Sequence, residues 1–200
     1  YTSGSVRNSE TALGNLITDG MLSQARKAAP DKKIIMAVQN SGGIRNHLPE
    51  GDITVGDLIK VLPFGNTLAI VDVTGQELID SFEISFANAP SENGGFLQVS
   101  GAKVTYDSSK ESKTRVVKIE YLNDGNYIEI DPAATYTIAS NAFTIMGGDS
   151  YTTLRKAYDA GLARDFGTLD WENFRDFLLE LGEIKKENTG IEDRIIDLKK

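Results

Sequence analysis

The chain has 200 residues, a formal net charge of −8, 40% hydrophobic and 25% charged residues, no cysteine and one histidine. These proportions suit a single domain with a real core. The missing cysteines exclude disulfides, thiolate metal sites and cysteine nucleophiles, and the lone His47 argues against a dinuclear metal hydrolase site within this chain.

Net acidity argues against a general nucleic-acid binder, yet it leaves room for a small anion held by a few placed arginines. No run approaches eighteen apolar residues, so no membrane span is expected, and Tyr1–Ser5 lacks the charged-then-apolar pattern of a signal segment.

In chain order, Ser9–Ala29 reads as a helix capped by Ser9, with Leu13, Leu16, Ile17, Met21 and Leu22 at helical spacing. Gly14 and Gly20 inside it predict close packing of another backbone. Pro30 ends the helix, and Ile34–Val38 is the continuous apolar run of a buried strand. Thr54–Asp57 has capping-box spacing and opens a helix to Leu62; Thr67–Val73 is a strand; Thr74–Glu77 is a second capping box, for a helix reaching Phe86.

Strands are expected at Phe96–Val99, Ala102–Tyr106, Thr114–Leu122, Tyr127–Ile130 and Tyr136–Ala139, with an Asp124-Gly125 hairpin turn joining the third and fourth. Helices follow at Tyr151–Tyr158 and, capped by Asp170, at Trp171–Leu181. The closing stretch from Glu183 carries five acidic and five basic residues and reads as solvated surface, with Arg194–Asp197 as a possible last strand. No repeat or linker divides the chain. The expectation is one domain over residues 1–200, of mixed α/β (α+β) class, with a mixed sheet and flanking helices.

Three loops present unusual side chains. In Asn40-Ser41-Gly42-Gly43-Ile44-Arg45, paired glycines admit a ligand close to the backbone and Arg45 offers a forked cationic donor; a tight turn with a surface salt bridge fits equally. In Leu62-Pro63-Phe64-Gly65-Asn66, a phenylalanine stands in a bend, either plugging the core or facing a ligand. Asn141-Ala142-Phe143, followed by Gly147-Gly148-Asp149, repeats the theme and adds a carboxylate that also suits a turn or cap. Aromatic faces stack on a base, amides read its edge, a carboxylate accepts from ribose hydroxyls and guanidinium groups hold phosphate. Together these residues are the inventory of a nucleotide site.

Glu10-x-x-Leu13-Gly14-Asn15-Leu16, Asn40–Arg45, Gly51–Thr54 running to Leu62–Asn66, Gly95–Gly101, and Asn141–Phe143 with Gly147–Tyr151 occur in an order that resembles the C-terminal domain of the 5′-nucleotidase family. That family includes secreted and periplasmic 5′-nucleotidases, UDP-sugar hydrolases and 2′,3′-cyclic-nucleotide phosphodiesterases. The resemblance runs from Arg7 to the Arg194-Ile195 segment. It implies that an N-terminal metallophosphoesterase domain, absent from this chain, holds two divalent metal ions and cleaves the ester, while this domain supplies the nucleoside pocket.

The resemblance makes Phe64 and Phe143 a sandwich for the base. Asn40 and Asn66 read its edge or position nearby groups, Asp149 accepts from the ribose, and Arg7 and Arg45 bind phosphate or the ribose side, with Gly42 and Gly43 lining the site. The catalytic domain's Asp-x-His and Asn-His-Asp/Glu motifs do not occur here, so the implied cofactors lie outside this chain and the chain alone is expected to be inactive. The implied partners are a nucleoside or nucleotide and the metallophosphoesterase domain, without polymeric nucleic acid, and the implied location is extracellular, periplasmic or envelope-attached. The pattern often has glycine where this chain has Ser41 and Ser150; Ser41 is tolerable unless its backbone needs positive φ. The alternative is a non-catalytic module that binds nucleosides or displays a surface to a partner.

Overall fold

A computed structural model describes residues 5–185 and 190–199; the residues of the opening pentapeptide before Ser5, and residues 186–189 of the charged closing stretch, lie outside that description. The first helix, α1, spans Ala12–Ala28. Its cap is Thr11 rather than Ser9: the Thr11 hydroxyl accepts the Gly14 N–H at 3.0 Å, whereas Ser9 Oγ donates to the Ser5 carbonyl. Gly14 and Gly20 make room for side chains, not for a second backbone. A Cβ at 14 would collide with the Gln98 side chain, and one at 20 would press on the Phe177 ring.

The strands divide between two sheets where a single one was expected. Five of them, in the order β3 (Leu97–Ser100), β1 (Ile34–Asn40), β7 (Thr135–Asn141), β2 (Thr67–Thr74) and β8 (Ala163–Leu169), form the larger mixed sheet. The smaller is β6 (Asn126–Glu129), β5 (Val116–Asn123), β4 (Ala102–Tyr106) and β9 (Ile195–Asp197). Gly101 is the corner between them. It takes φ +77°, and a Cβ there would lie 2.6 Å from the Ile35 carbonyl oxygen, so the chain turns from β3 into β4 only with glycine at that point.

β8 escapes sequence reading because Ala163–Leu169 sets Arg164, Asp165 and Thr168 among its apolar residues without strand alternation and carries Gly167 at positive φ; it pairs along β2 with an irregular register.

Both faces of the larger sheet are covered. Along β2, Leu68 and Ile70 pack under α1 with Met21, Leu22 and Ala25, while Ala69, Val71 and Val73 join the opposite core. That second core contains Leu78 and Phe82 of α3 (Gly75–Ser85), Phe86 just beyond it, and Tyr106 of the smaller sheet. The Phe86 and Tyr106 rings stack with centroids 4.0 Å apart.

A third cluster joins α1 to α2 (Val55–Val61) and to Phe174 of α6 (Asp170–Leu181). Between β7 and β8 lie α4 (Ala142–Ile145) and α5 (Thr152–Asp159). Asp170 is the first residue of α6 and Leu169 its cap. The closing segment is not uniformly solvated: Arg194 is buried and pairs bidentately with Asp19 at 2.7 and 2.9 Å.

Candidate functional site

The sheet register gathers the three loops at one end. Leu68 of β2 lies opposite Asn141 of β7, so the turn before β2, with Phe64, and the turn after β7, with Phe143, leave the same edge. β1 runs parallel to β7 with Ala37 beside Ala139, which delivers Asn40–Arg45 to that edge. β3 opposes β1 with Leu97 at Asn40, adding the Asn93–Gly95 loop, and β8 brings Leu169 opposite Thr67. No local periodicity connects these segments; only strand pairing does.

Asn40, Gly42, Gly43, Phe143 and Asp149 form one group. Asn40 is buried, and its Nδ2 donates to Asp149 Oδ2 at 2.7 Å. Its Oδ1 accepts from Asn141 Nδ2 at 2.8 Å and from Gln39 Nε2 at 3.2 Å. Asn141 in turn caps α4 by accepting the Thr144 N–H at 2.8 Å, which fixes the turn that carries Phe143. Phe143 is 42% exposed, and its ring edge lies against Gly148, where a Cβ would collide with it.

Asp149 itself is exposed and left-handed (φ 53°), as is Ser150 (φ 71°). Two consecutive non-glycine residues in that region carry strain. Ser41 does not: its backbone is outside the positive-φ set, and its buried hydroxyl donates to the carbonyls of Asn93 and Gly94.

The glycine pair serves close approach more than anion binding. The Gly42 N–H donates to the Gly94 carbonyl at 2.7 Å, and a Cβ at 42 would sit 3.1 Å from that oxygen. A Cβ at 43 would collide with the Gln39 amide. Arg7 is half-buried, and its carbonyl accepts the Asn93 N–H at 2.9 Å, so the chain start is tied to the same loop.

Arg45, Phe64 and Asn66 form the second group. Arg45 is exposed, its N–H donates to the Val61 carbonyl, and its guanidinium carbon lies 5.8 Å from the Phe64 ring centroid, a cation–π distance. Phe64 is 60% exposed and belongs to none of the core clusters, so it does not plug the core. The Asn66 carbonyl accepts the Asp170 N–H at 2.8 Å.

With this arrangement on view, comparison with known proteins is decisive for the family. The model of the 5′-nucleotidase C-terminal domain matches residues 1–156. This chain belongs to that family.

The 5′-nucleotidase C-terminal fold is shared at full length with a crystal structure of a 5′-nucleotidase precursor from Thermus thermophilus, at 41% identity and a TM-score of 0.90, over 99% of this chain and 37% of that one. The trifunctional nucleotide phosphoesterase protein YfkN of Bacillus subtilis is 39% identical over 95% of this chain and 12% of its own length. A 5′-nucleotidase from Diplobatis ommata is 35% identical over 80% of this chain and 30% of its own. The chain therefore spans between about an eighth and somewhat over a third of these relatives.

Three supports of these turns lie beyond what sequence reasoning assigned. Gln39 and Asn141 complete the amide network around Asn40, and both are fully buried. Tyr151 is also fully buried; its hydroxyl donates to the Gly95 carbonyl, and burial pushes its pKa well up, keeping it a neutral donor. Asp170 is the third, its carboxyl raised to about 6 by burial against the opposing pull of the Trp171 N–H and the Asn66 side chain. For Gln39, Asn141 and Tyr151 the one available signal was position, since each directly precedes or lies within a motif loop; Asp170 carried none beyond its place at a helix start.

Among the described residues no group of three or more His, Cys, Asp or Glu side chains is placed to hold a metal ion, and His47 is exposed. The donor set of the described residues does not fit a dinuclear metal centre. No helix among the described residues is long and apolar enough to cross a membrane.

Proposed function

We propose that this chain is the nucleoside-recognition domain of a 5′-nucleotidase-type phosphoric ester hydrolase. The observation that carries the reading is the pair of exposed phenylalanines, Phe64 and Phe143, on turns that leave one sheet edge beside an Asp149 oriented by Asn40. A core role would have buried both rings, so their exposure supports a role at the surface.

In this reading the base stacks between Phe64 and Phe143, which tolerates any base because each has a π face. Asp149 accepts from the ribose hydroxyls, with Asn40 holding the carboxylate in place rather than touching the base, and Asn66 stands at the base edge. Arg45 and Arg7 serve the phosphate, and the glycines at 42 and 43 let the backbone come close.

The ester would be cleaved elsewhere, on a metallophosphoesterase domain that carries two divalent metal ions. This chain's residues bind and orient the nucleoside half and present the phosphate. The parent protein would act outside the cytoplasm, a reading supported by likeness to snake venom 5′-nucleotidases.

Calorimetric titration with adenosine tests the proposal. Wild-type chain should bind, and Phe64→Ala or Phe143→Ala should each lose about 1–3 kcal/mol of affinity. Binding unaffected by either substitution would refute the clamp. The chain alone should release no phosphate from AMP with any added divalent metal; robust metal-dependent release from pure protein would place catalysis here and overturn the division of labour.

A further inference from the structure

Asp170 is a buried acid in the first turn of α6. It is 7% exposed at the start of α6, with its Oδ1 accepting the Trp171 N–H at 2.8 Å. Its own N–H donates to the Asn66 carbonyl at 2.8 Å, and the Asn66 side chain is near enough to favour the ionised carboxylate. The turn that carries Phe64 is therefore fastened to α6 through the Asp170 backbone, with the Asn66 side chain beside the carboxylate.

The other side of Asp170 faces a cavity of about 10 Å³ that it lines together with Gln39, Thr67 and Asn141. Gln39 and Asn141 are the two amides that hold Asn40, and Asn141 also caps the turn bearing Phe143. Asp170 thus stands between the supports of both aromatic turns, and every other residue lining that cavity is neutral. Burying a carboxylate costs stability that a neutral cap would spare, and such costs cluster where a site needs them.

We infer that Asp170 is a positioning residue for nucleoside recognition: it sets the 63–66 turn, and with it the Phe64 ring, against the Asn141–Asn40–Asp149 network. The inference rests on the nucleoside reading above. It assigns Asp170 no contact with the ligand; its effect passes through the Phe64 ring.

The test is a double-mutant cycle read by adenosine titration and thermal melting. Asp170→Ala should weaken adenosine about tenfold, the loss expected for one buried polar anchor. Asp170→Asn, which keeps an acceptor for the Trp171 N–H and a partner for Asn66, should recover to within about threefold of wild type. Combined with Phe64→Ala, Asp170→Ala should add almost nothing, because the ring it places is already gone.

A purely structural role predicts lowered melting with losses that multiply in the double variant, and that result overturns the inference. Should Asp170→Ala not fold, Asp170→Ser takes its place: the hydroxyl still serves the helix start but is too short for Asn66, and the same tenfold loss is expected, about 1.4 kcal/mol. If Phe64→Ala alone leaves adenosine binding unchanged, the nucleoside reading fails and the inference with it. If Phe64→Ala weakens binding and Asp170→Ala does not, only the positioning role is overturned.

Discussion

Phe64 and Phe143 stand on turns at the same end of neighbouring strands, yet those turns are held in different ways. Phe143 follows a strand end where three buried amides, Gln39, Asn40 and Asn141, bond to one another and to Asp149, and where the Tyr151 hydroxyl fastens the next loop. Phe64 is more exposed, covered by Arg45 on one side and moored to α6 through Asp170. On the Phe143 side the groups proposed to meet the ligand and the groups that hold the fold share one hydrogen-bond network. On the Phe64 side they are separable. Substitutions should therefore report stability and binding together at the first turn and apart at the second.

The largest expected effect concerns pH. Burial raises the Asp170 carboxyl to about 6 from the ordinary 3.8. The folded state then binds this proton more tightly than the unfolded chain does. Its contribution to stability is most favourable below pH 4, declines as pH rises toward 6, and levels off above, a difference of about 3 kcal/mol. Urea unfolding at pH 4, 5, 6 and 7 should show that this component of the slope vanishes in Asp170→Asn. An unchanged slope would mean the acid is not buried as described, and would remove the mooring from the Phe64 side.

Arg45→Ala sharpens the comparison next. A guanidinium–phosphate bond contributes about 1.5–3 kcal/mol, so AMP should lose more affinity than adenosine. Because Arg45 also lies over the Phe64 ring, adenosine should lose part of this, about 0.5–1 kcal/mol. Equal losses for both ligands in parallel titrations would assign Arg45 to the ring alone.

Asn40→Ala should cost about 1–3 kcal/mol of stability, since it strips the Asn141 and Gln39 amides of a buried partner. In a domain of this size that lowers the melting temperature by several degrees, at about 2–4 °C per kcal/mol. Phe64→Ala, by contrast, should stay within about 0.5 kcal/mol of wild type. Melting curves of the two variants side by side decide whether the turns differ as argued. The smallest effect is a gain: Ser150→Gly should stabilise by about 0.5–1 kcal/mol, the left-handed penalty offset in part by the greater chain entropy of glycine. No gain in melting temperature would show that the Ser150 backbone is not strained.

Much of the fold was legible in the chain itself. The two capping boxes at Thr54 and Thr74 start α2 and α3 where their spacing indicated, because caps are satisfied within four residues. The apolar run at Ile34–Val38, the Asp124-Gly125 hairpin and the return of Ile195–Ile196 as a strand also follow from local pattern. Thr11 displaced Ser9 as a cap because Gln98, distant in sequence, occupies the surrounding space: its Oε1 accepts the Thr11 N–H and its Nε2 donates to the Val6 and Ser9 carbonyls. β8 went unread because Arg164, Asp165 and Gly167 contradict strand propensity, and only pairing with β2 overrides it.

The site divides along the same line. Which residues are unusual for their loops, namely Arg45, Phe64, Phe143 and Asp149, is a local property, since Gly and Pro around them bend the backbone and leave side chains without a core to enter. That Asn40 spends its amide on Asp149, that Gly42 gives its N–H to Gly94, and that Asp170 lies between the two aromatic turns depend on groups that meet across the fold. Strand register alone sets those meetings. A shift of one residue between β2 and β7 would turn the same side chains to the opposite face of the sheet, so the sequence determined which residues stand out in these loops and the pairing of β1, β7 and β2 decided that they share an edge.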